Sequence, residues 1–467
     1  MSAGTPRAGG LARYREALER SNQLIEPFLP TLDMNLTAVN GRAIARLDRL
    51  QSFLARIANP HLRYPVVHVT GTSGKGSTSV AIAAILGAAG KKVGLYTSPY
   101  LQSATEKLQI GGRLIDPDEF ADLVDELLAL AADWGEGPLS YAEFWFALAA
   151  LAFAKNQVDV AVIEVGAGGR LDATNLVRPA VSVITSIGLD HTETLGSTIA
   201  EIAWHKAGII KPGAPVVTGV SDPEAFAAIT AEARQTGSDV IQVLIGRDFE
   251  ILEADVDCVR WQDARGRTFS TGMPGRFQAG NAALAVAAVE RLHDVVVSDH
   301  AIRGGLRSAR LPGRFEVVQR EPLVVLDGAH NPEKIAALAA ELPRLVRSQG
   351  RLLAVVGSLA AKDHLAIIGA IASQIDALVL TSPRVLAKPS AGAADLARDA
   401  RLSGFEGLIE AAPNPKMALD LAFDLALPDD VILVTGSLYL IGNLRGRWFP
   451  DDEVVLQQTS WPEPNTA

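Results

Sequence analysis

Short runs of β-branched and aliphatic residues alternate with longer stretches of helical character along much of this 467-residue chain. The first run, Pro65-Val66-Val67, leads through a glycine-rich loop into the apolar stretch 80–86, which has the composition of a helix. Comparable apolar runs recur between helical stretches at 91–98, 158–165, 180–187, 214–220 and 239–243. Strands that alternate with helices predict a parallel β-sheet with helices on its faces.

The flanking regions add helices and a different kind of strand. Helical spacing extends from 11 to about 58, interrupted at Pro27 and Pro30, and further helices are expected from Asp116 onward and at 141–154. Polar and apolar residues alternate at 249–270, which predicts a small antiparallel hairpin. An alanine-rich helix is expected at 277–292.

The glycine-rich loop carries the first candidate chemistry. Between Gly71 and Ser77 it places Gly74, Lys75 and Gly76 ahead of a helix. Backbone N–H groups, a helix N-terminus and one ammonium then surround a single anionic group, for which phosphate is suited. The spacing departs from the Walker A pattern, since Gly76 separates Lys75 from Ser77. A glycine-rich turn that only closes a βα unit is the alternative.

The pattern of strands and helices restarts after residue 297, where we place a domain boundary. Strands are expected after it at 314–318, 323–326, 351–357, 377–380 and 431–436. The fold class expected is α/β. A P-loop domain with a mostly parallel sheet and a helical N-terminal segment would span residues 1–297, and a smaller C-terminal Rossmann-like α/β domain residues 298–467.

Composition excludes several classes of function. Lysine and arginine total 43 against 53 acidic residues, giving a net charge of −10, so nucleic acid is not expected as a partner. The single cysteine, Cys258, allows no internal disulfide and fits a reducing cytoplasm. No signal-peptide core or membrane-spanning run is expected. We expect a cytoplasmic monomer.

Several predicted strands are followed by polar residues. They stand at the carboxyl ends of the strands, where a parallel sheet binds its ligands. Ser98, Glu164 and His191 all stand at such strand ends, so we expect them near the loop. Glu164 is a candidate Mg²⁺ ligand because this ion prefers oxygen donors. It could instead pair with Arg170, and His191 could be a satisfied core histidine.

Two further stretches contain residues that could be functional or could have an ordinary structural role. Lys206 stands near the end of a helix that starts around Ser197, where a lysine also favours the helix dipole. Asp327 and His330 flank a second turn from strand to helix, which could be an ordinary N-cap turn.

Taken together, these stretches resemble the folylpolyglutamate synthase / dihydrofolate synthase family of the Mur ligase superfamily. The resemblance spans roughly residues 30–360. The matching stretches, in the order that the family has them, are 70–77 (TGTSGKGS), 97–99 (TSP), 164–175 (EVGAGGRLDATN), 188–191 (GLDH), 206–213 (KAGIIKPG), 312–316 (PGRFE) and 327–332 (DGAHNP).

The resemblance implies a role for each matching residue. Gly74, Lys75, Gly76 and Ser77 would hold ATP phosphates, with further ATP contacts from Asn281, Arg314, Asp327 and His330. Ser98 and Glu164 would bind one Mg²⁺, and Glu164 and His191 a second, shared site. Lys206 would be modified to a carbamate. The substrate pocket would include Leu171, Asp172, Ala173 and Glu143.

The same resemblance implies an ATP-dependent ligase. It would add L-glutamate to dihydropteroate, to reduced folates, or to both, through an acyl phosphate, with Lys75, Lys206 and His191 as catalytic residues. Residues 1–297 would be the ATP-binding domain and 298–467 the glutamate-ligase domain. Its partners would be small molecules: ATP, L-glutamate and a pterin or folate carboxylate.

The chain departs from the family pattern on the acceptor side. Tyr100 replaces a usual histidine, the sequence 104–107 (ATEK) replaces an Asn-Glu-Arg motif, and Ala142 replaces an aromatic residue. Two alternatives therefore stay open: a Mur-type ligase with a non-folate acceptor, and a P-loop ATPase or nucleotide-dependent binding module without ligation. A dinucleotide-binding oxidoreductase is poorly supported, since no G-x-G-x-x-G follows the first strand.

Overall fold

A computed structural model describes residues 9–25, 36–293, 295–346, 350–386 and 388–463. It has two largely parallel sheets, each covered by helices, and one small antiparallel sheet. The expected α/β fold class is therefore confirmed. The expected helix interruption at Pro27 and Pro30 lies outside the described residues.

The helices account for most of the connections between strands. Their bounds are α1 Gly10–Asn22, α2 Leu36–Arg56, α3 Lys75–Ala88, α4 Pro117–Ala132, α5 Tyr141–Lys155, α6 Thr192–Leu195, α7 Ile199–Ala207, α8 Pro223–Thr236, α9 Phe277–Val289, α10 Asp299–Ser308, α11 Pro332–Ala339, α12 His364–Ala372, α13 Ala393–Leu402, α14 Pro415–Leu425, α15 Leu438–Arg445 and α16 Asp451–Gln457.

The strands are short, as is usual for twisted parallel sheets. Their bounds are β1 Val66–Thr70, β2 Val93–Tyr96, β3 Leu108–Ile110, β4 Arg113–Leu114, β5 Val160–Glu164, β6 Pro179–Ile184, β7 Val216–Thr218, β8 Val240–Gln242, β9 Phe249–Ala254, β10 Val259–Asp263, β11 Thr268–Thr271, β12 Glu316–Arg320, β13 Leu323–Leu326, β14 Leu352–Val356, β15 Ala377–Leu380, β16 Leu408–Ala411 and β17 Val431–Thr435.

The first sheet has the order β4-β3-β2-β5-β1-β6-β7-β8. Strands from β2 to β8 in this order run parallel, whereas β3 and β4 are antiparallel additions at one edge. The central strand β1 is buried along its length because helices cover both faces of the sheet. Val66 packs into the core with α5, and Val67 and Val69 pack on the opposite side with α3 and α9.

The second sheet has the order β12-β13-β17-β14-β15-β16. Only β12 is antiparallel to its neighbour. The segment 249–270 differs from the expected hairpin, because β9, β10 and β11 form a three-stranded antiparallel sheet. Its inward residues Phe249, Trp261 and Phe269 pack on the same core as α9. The third strand, β11, thus contributes Phe269 to that core.

Helix α10 follows the expected boundary at residue 297 yet packs against α3 of the first sheet. The close approach is visible at Gly305, where a Cβ atom would come within 2.4 Å of the Ile85 Cα. The division at 297 stays a prediction. Among the described residues, no helix is long and apolar enough to cross a membrane.

A buried ion pair joins the end of the chain to the second sheet and to the first half of the molecule. Arg445 is fully buried and donates to both carboxylate oxygens of Glu316, at 2.7 and 2.9 Å. The Arg445 Nη1 also donates to the side chain of Gln102 at 2.5 Å, and the Trp461 indole donates to Glu316 at 2.8 Å. Each buried charge is thus satisfied on several sides.

Loss of this arginine should destabilise the fold. We expect Arg445→Met to lower the free energy of unfolding by about 3–5 kcal/mol, because Glu316 would stay buried without its charged partner. Urea unfolding measures the change. The matched control is Arg447→Met, since the Arg447–Asp420 pair is exposed and should contribute below about 1 kcal/mol. Equal effects of the two substitutions would contradict this interpretation.

Candidate active site

A cleft of about 1480 Å³ lies between the two large sheets. Residues that follow strands of both sheets line it, as expected for ligand sites in parallel α/β folds. Many of the residues proposed from the sequence meet there, namely Gly74, Lys75, Gly76, Ser77, Ser98, Glu164, His191, Asn281, Arg314, Asp327 and His330.

The glycine-rich loop between β1 and α3 is held against the residues that follow β6. The Thr72 N–H donates to the Ser186 carbonyl at 2.9 Å, and the Ser73 N–H donates to the Ser186 hydroxyl at 2.9 Å. The Thr185 hydroxyl donates to the Ser73 carbonyl at 2.5 Å. These bonds fix the loop from one side and leave its other side toward the cleft.

Gly74 shows why this loop needs glycine. It has φ 84° at the N-cap of α3, a backbone conformation that favours glycine. A Cβ atom there would lie 2.2 Å from the Asn281 Oδ1 of α9. Lys75 begins α3, and its ammonium donates to the Gly71 carbonyl at 2.9 Å, which folds the side chain back over the loop. Such an arrangement is suited to holding a phosphate group.

Glu164 ends β5 beside this loop and is buried. Its Oε2 accepts a hydrogen bond from the Ser98 N–H at 3.1 Å, so the ends of β2 and β5 meet. Burial raises the pKa of the Glu164 carboxyl in spite of the nearby Lys75 charge. The alternative pairing with Arg170 is absent from the described contacts, because Arg170 instead pairs with Glu232 at 2.5 Å.

His191 and Lys206 lie near the same end of the sheet. His191 has φ 52°, a strained conformation for a residue other than glycine, before the short helix α6. Desolvation in the cleft lowers its pKa to about 4 in spite of Asp190, so the imidazole is neutral near pH 7. Lys206 is buried in the last turn of α7. Burial, then the charge of Lys75, lowers its pKa well below the usual value.

The opposite wall is formed by the turns before β12 and after β13. The buried Asp327 carboxylate accepts hydrogen bonds from the Phe315 and Ala329 N–H groups, both at 2.8 Å. It therefore fixes the turns that carry Arg314 and His330. Burial raises the pKa of Asp327, while Arg314 opposes that shift. The His330 Nδ1 lies 2.7 Å from the Gly328 carbonyl and donates to it.

Asp190 connects the two walls. Its carboxylate lies 3.3 Å from the Lys334 ammonium, 3.4 Å from that of Lys362 and 3.0 Å from the Asn331 amide nitrogen. Burial alone would raise the pKa of Asp190, but Lys334, His191 and Lys362 outweigh it and hold the pKa below its usual value. The side chain is 8% exposed, so these interactions are only weakly screened.

The four residues expected in a substrate pocket are not among the described residues that line the cleft. Glu143 caps α5, accepting from the Ser140 N–H at 2.6 Å, and pairs with Arg49. Asp172 accepts from the Ala167 N–H at 3.1 Å and from the Thr174 hydroxyl at 2.6 Å. Leu171 and Ala173 flank Asp172 and are half-buried.

Several polar residues of the cleft were not singled out from the sequence. Lys334 and Lys362 meet Asp190, and Thr185 and Ser186 hold the loop. Lys107 also lines the cleft. Lys334 has a local signal, because it stands two residues after Pro332, the last residue of the matched 327–332 stretch. Lys107 belongs to the 104–107 departure from the family pattern, whereas Lys362, Thr185 and Ser186 have no local pattern and depend on distant contacts.

Two family models match the chain, one for each of the two segments that contribute to the cleft. Residues 69–289 match the Mur ligase middle domain, and residues 313–438 match the glutamate ligase domain of Mur ligases. A folylpolyglutamate synthase of Lacticaseibacillus casei is 35% identical over 415 residues, covering 85% of this chain and 93% of the relative. The chain belongs to the folylpolyglutamate synthase family of Mur ligases.

Other members of the family agree in sequence and in structure. The dihydrofolate synthase/folylpolyglutamate synthase of Bacillus subtilis is 34% identical over 416 residues, covering 86% of this chain and 94% of the relative. A Mycobacterium tuberculosis folylpolyglutamate synthase complexed with ADP superposes with a TM-score of 0.82 at 29% identity, covering 94% and 99% of the two chains. The E. coli FolC structure with DHPP and ADP gives 0.75 at 31%, covering 92% and 97%.

Asp190→Asn should weaken the connection between the walls. We expect a loss of about 1–3 kcal/mol in the free energy of unfolding at pH 7, because Lys334 and Lys362 lose their carboxylate. The folded pKa of Asp190 lies below the unfolded value of about 3.9, so this contribution is present above that pH and lost as pH falls.

Urea unfolding at pH 7, 5 and 3.5 tests this dependence. The difference between wild type and Asp190→Asn should shrink toward pH 3.5. Glu193→Gln, on the exposed side of α6, serves as the control and should change stability little at any of these values. A difference that stays constant with pH would contradict the assignment.

Proposed function

We propose that the chain is an ATP-dependent ligase that joins L-glutamate to the carboxylate of dihydropteroate or of a reduced folate. The products besides the amide are ADP and phosphate. One observation carries the proposal: a phosphate cradle with a buried carboxylate faces an arginine and a histidine across a single cleft. The relatives' names and the E. coli complex with DHPP and ADP support the acceptor class.

The loop and its lysine provide the phosphate end of the site. N–H groups from Gly74 to Ser77 stand at the start of α3, where the helix dipole favours anions. Lys75 is already folded over the loop through its bond to the Gly71 carbonyl. Its charge would neutralise the β- and γ-phosphates as the acceptor attacks. Asn281, in contact with Gly74, would position the nucleotide.

The donor set beside the loop fits Mg²⁺. Glu164 is a buried carboxylate without an ion-pair partner among the described contacts, and Ser98 stands next to it. No group of three or more histidine, cysteine or acidic side chains forms a metal cage in the described ranges, so phosphate oxygens would complete the shell. Ser98, Glu164 and the neutral His191 would hold the ion. Bound there, it would offset charge on the transferred phosphoryl group.

The reaction itself is a two-stage condensation. An acceptor carboxylate oxygen attacks the γ-phosphorus, and the bond to the β-phosphate oxygen breaks, which gives an acyl phosphate and ADP. The amine of L-glutamate then attacks the acyl carbon, and phosphate leaves as the nitrogen loses a proton. Activation is required because a free carboxylate is a poor electrophile.

The second sheet would complete the site and exclude water. Arg314, Asp327 and His330 face the loop from the other wall and would contact the nucleotide. Asp190, Lys334 and Lys362 hold the walls together at one end of the cleft. A closed cleft protects an acyl phosphate from hydrolysis. The proposed division at residue 297 separates the elements that bring these two sets of contacts.

Two expectations about the whole protein remain proposals. We infer a monomeric state and a cytoplasmic location. The single cysteine, Cys258, supports a reducing compartment. Sedimentation of the purified chain tests the first, and fractionation of the producing cell tests the second.

The function is tested by the substrates required for phosphate release. We expect release only when ATP, L-glutamate and a pterin carboxylate are all present, with dihydropteroate and tetrahydrofolate assayed separately. Lys75→Met should abolish release, and Lys155→Met, on an exposed helix end, should leave it unchanged. ATP hydrolysis independent of amine and acceptor, or turnover with a non-pterin carboxylate alone, would overturn the proposal.

Lys206 provides a second test through its proposed carbamate. Its lowered pKa increases the fraction of neutral amine, the form that adds to CO₂ with formation of an N–C bond and release of a proton. We expect Lys206→Ala to lose activity by about 100-fold or more, and bicarbonate or a short carboxylate such as acetate to restore part of it. The control is Lys92→Ala, an exposed lysine remote from the cleft. Near-full activity of Lys206→Ala without additives would refute the carbamate.

A further inference from the structure

Lys107 is a buried lysine that the proposed reaction leaves unused. It is 4% exposed, and its ammonium sits among three aromatic rings. The Nζ lies 4.1 Å from the ring centre of Trp145, 4.8 Å from that of Tyr141 and 5.9 Å from that of Tyr96. Aromatic faces stabilise a cation by about 0.5–2 kcal/mol, which offsets only part of the cost of burying it.

No carboxylate within the described residues forms an ion pair with Lys107. The adjacent Glu106 points elsewhere, because its oxygens accept hydrogen bonds from the Leu101 and Gln102 N–H groups and from the Ser460 hydroxyl. Burial accordingly lowers the pKa of Lys107 to about 7. The amine is therefore only partly protonated near pH 7, and its charged form has no anion from the described residues beside it. Both Lys107 and Tyr141 line the cleft, where a ligand could supply that anion.

The backbone places Lys107 next to the reacting end of the cleft. The Thr97 N–H donates to the Lys107 carbonyl at 3.1 Å, at the end of β2. Ser98 follows, and its N–H donates to Glu164. Lys107 is therefore linked through Thr97 and Ser98 to the carboxylate that would hold Mg²⁺, and Tyr100 and Tyr141 line the same cleft. A ligand whose carboxylate reacts beside Glu164 could therefore reach Lys107 within the same cleft.

We propose that Lys107 binds a carboxylate of the acceptor other than the one that is activated, and so favours acceptors that already carry a glutamyl residue. The inference rests on the proposed function. A glutamyl acceptor has a second carboxylate a few bonds from its reacting one, whereas a pteroate acceptor has none. A buried ammonium forms a strong charge-assisted bond with such a group. Bonding to the reacting oxygen itself would instead lower its nucleophilicity.

The matched pair of ligands is dihydropteroate and dihydrofolate, which differ only by the glutamyl residue. Their dissociation constants are measured by calorimetry on the full chain with ADP and Mg²⁺, where no turnover occurs. We expect Lys107→Met to weaken dihydrofolate binding by about 10- to 100-fold. Dihydropteroate binding should change less than about twofold, within the effect of an ordinary surface substitution.

Two further variants and one stability measurement separate binding from structure. Lys107→Arg keeps the charge and should retain the preference for dihydrofolate, and Lys155→Met should affect neither ligand. Lys107→Met is expected to unfold at the same or a higher urea concentration than wild type, because it removes an unpaired buried charge. An unchanged fold with selective loss of dihydrofolate supports the proposal.

Other outcomes overturn it in distinguishable ways. Equal weakening of both ligands would mean that Lys107 contacts a part that they share, and no weakening would mean that its role is structural. Either result leaves the ligase function intact. If wild type binds neither ligand, the proposed function fails, and this inference fails with it.

Discussion

The structure depends on the parallel register of β2, β5, β1 and β6, which brings four chain segments to one edge. Val69 is opposite Glu164 on one side, and Thr70 is opposite Ile184 on the other. The strand ends therefore bring Ser98, the glycine-rich loop, the buried carboxylate and the 185–188 segment to one place. Hydrogen bonds between Thr185, Ser186 and the loop then fix its conformation before any ligand binds.

The second constraint is that buried charged groups need partners. Arg445 and Glu316 satisfy each other, and their neighbours take up the remaining donors and acceptors. Asp327 is satisfied by two backbone N–H groups. Glu164 and Lys107 differ, because each is buried beside the cleft without an ion-pair partner in the described structure. The site thus concentrates uncompensated charges where an anionic nucleotide, a cation and an anionic acceptor would supply the missing partners.

The repeated α/β architecture explains how one cleft can serve a reaction with three substrates. Each sheet presents the carboxyl ends of its parallel strands, and the two edges face each other. Asp190 joins the two edges beside the cleft, through Lys334 and Lys362. Apolar packing joins the two halves as well, because Leu101 packs on one core of the second sheet and Phe277 on the other.

The sequence by itself determined the main strands, the loop and the residues at strand ends, because apolar runs and glycine spacing are local properties. It left β3, β4 and β16 unassigned, since they are short and pair only at sheet edges. Glu143 matched a family position, yet only its contacts with Ser140 and Arg49 reveal how its carboxylate is used. The environments of Asp190 and Lys107 likewise depend on tertiary structure, because segments far apart in the chain form them. Burial and pairing of charge are long-range properties that no local pattern encodes.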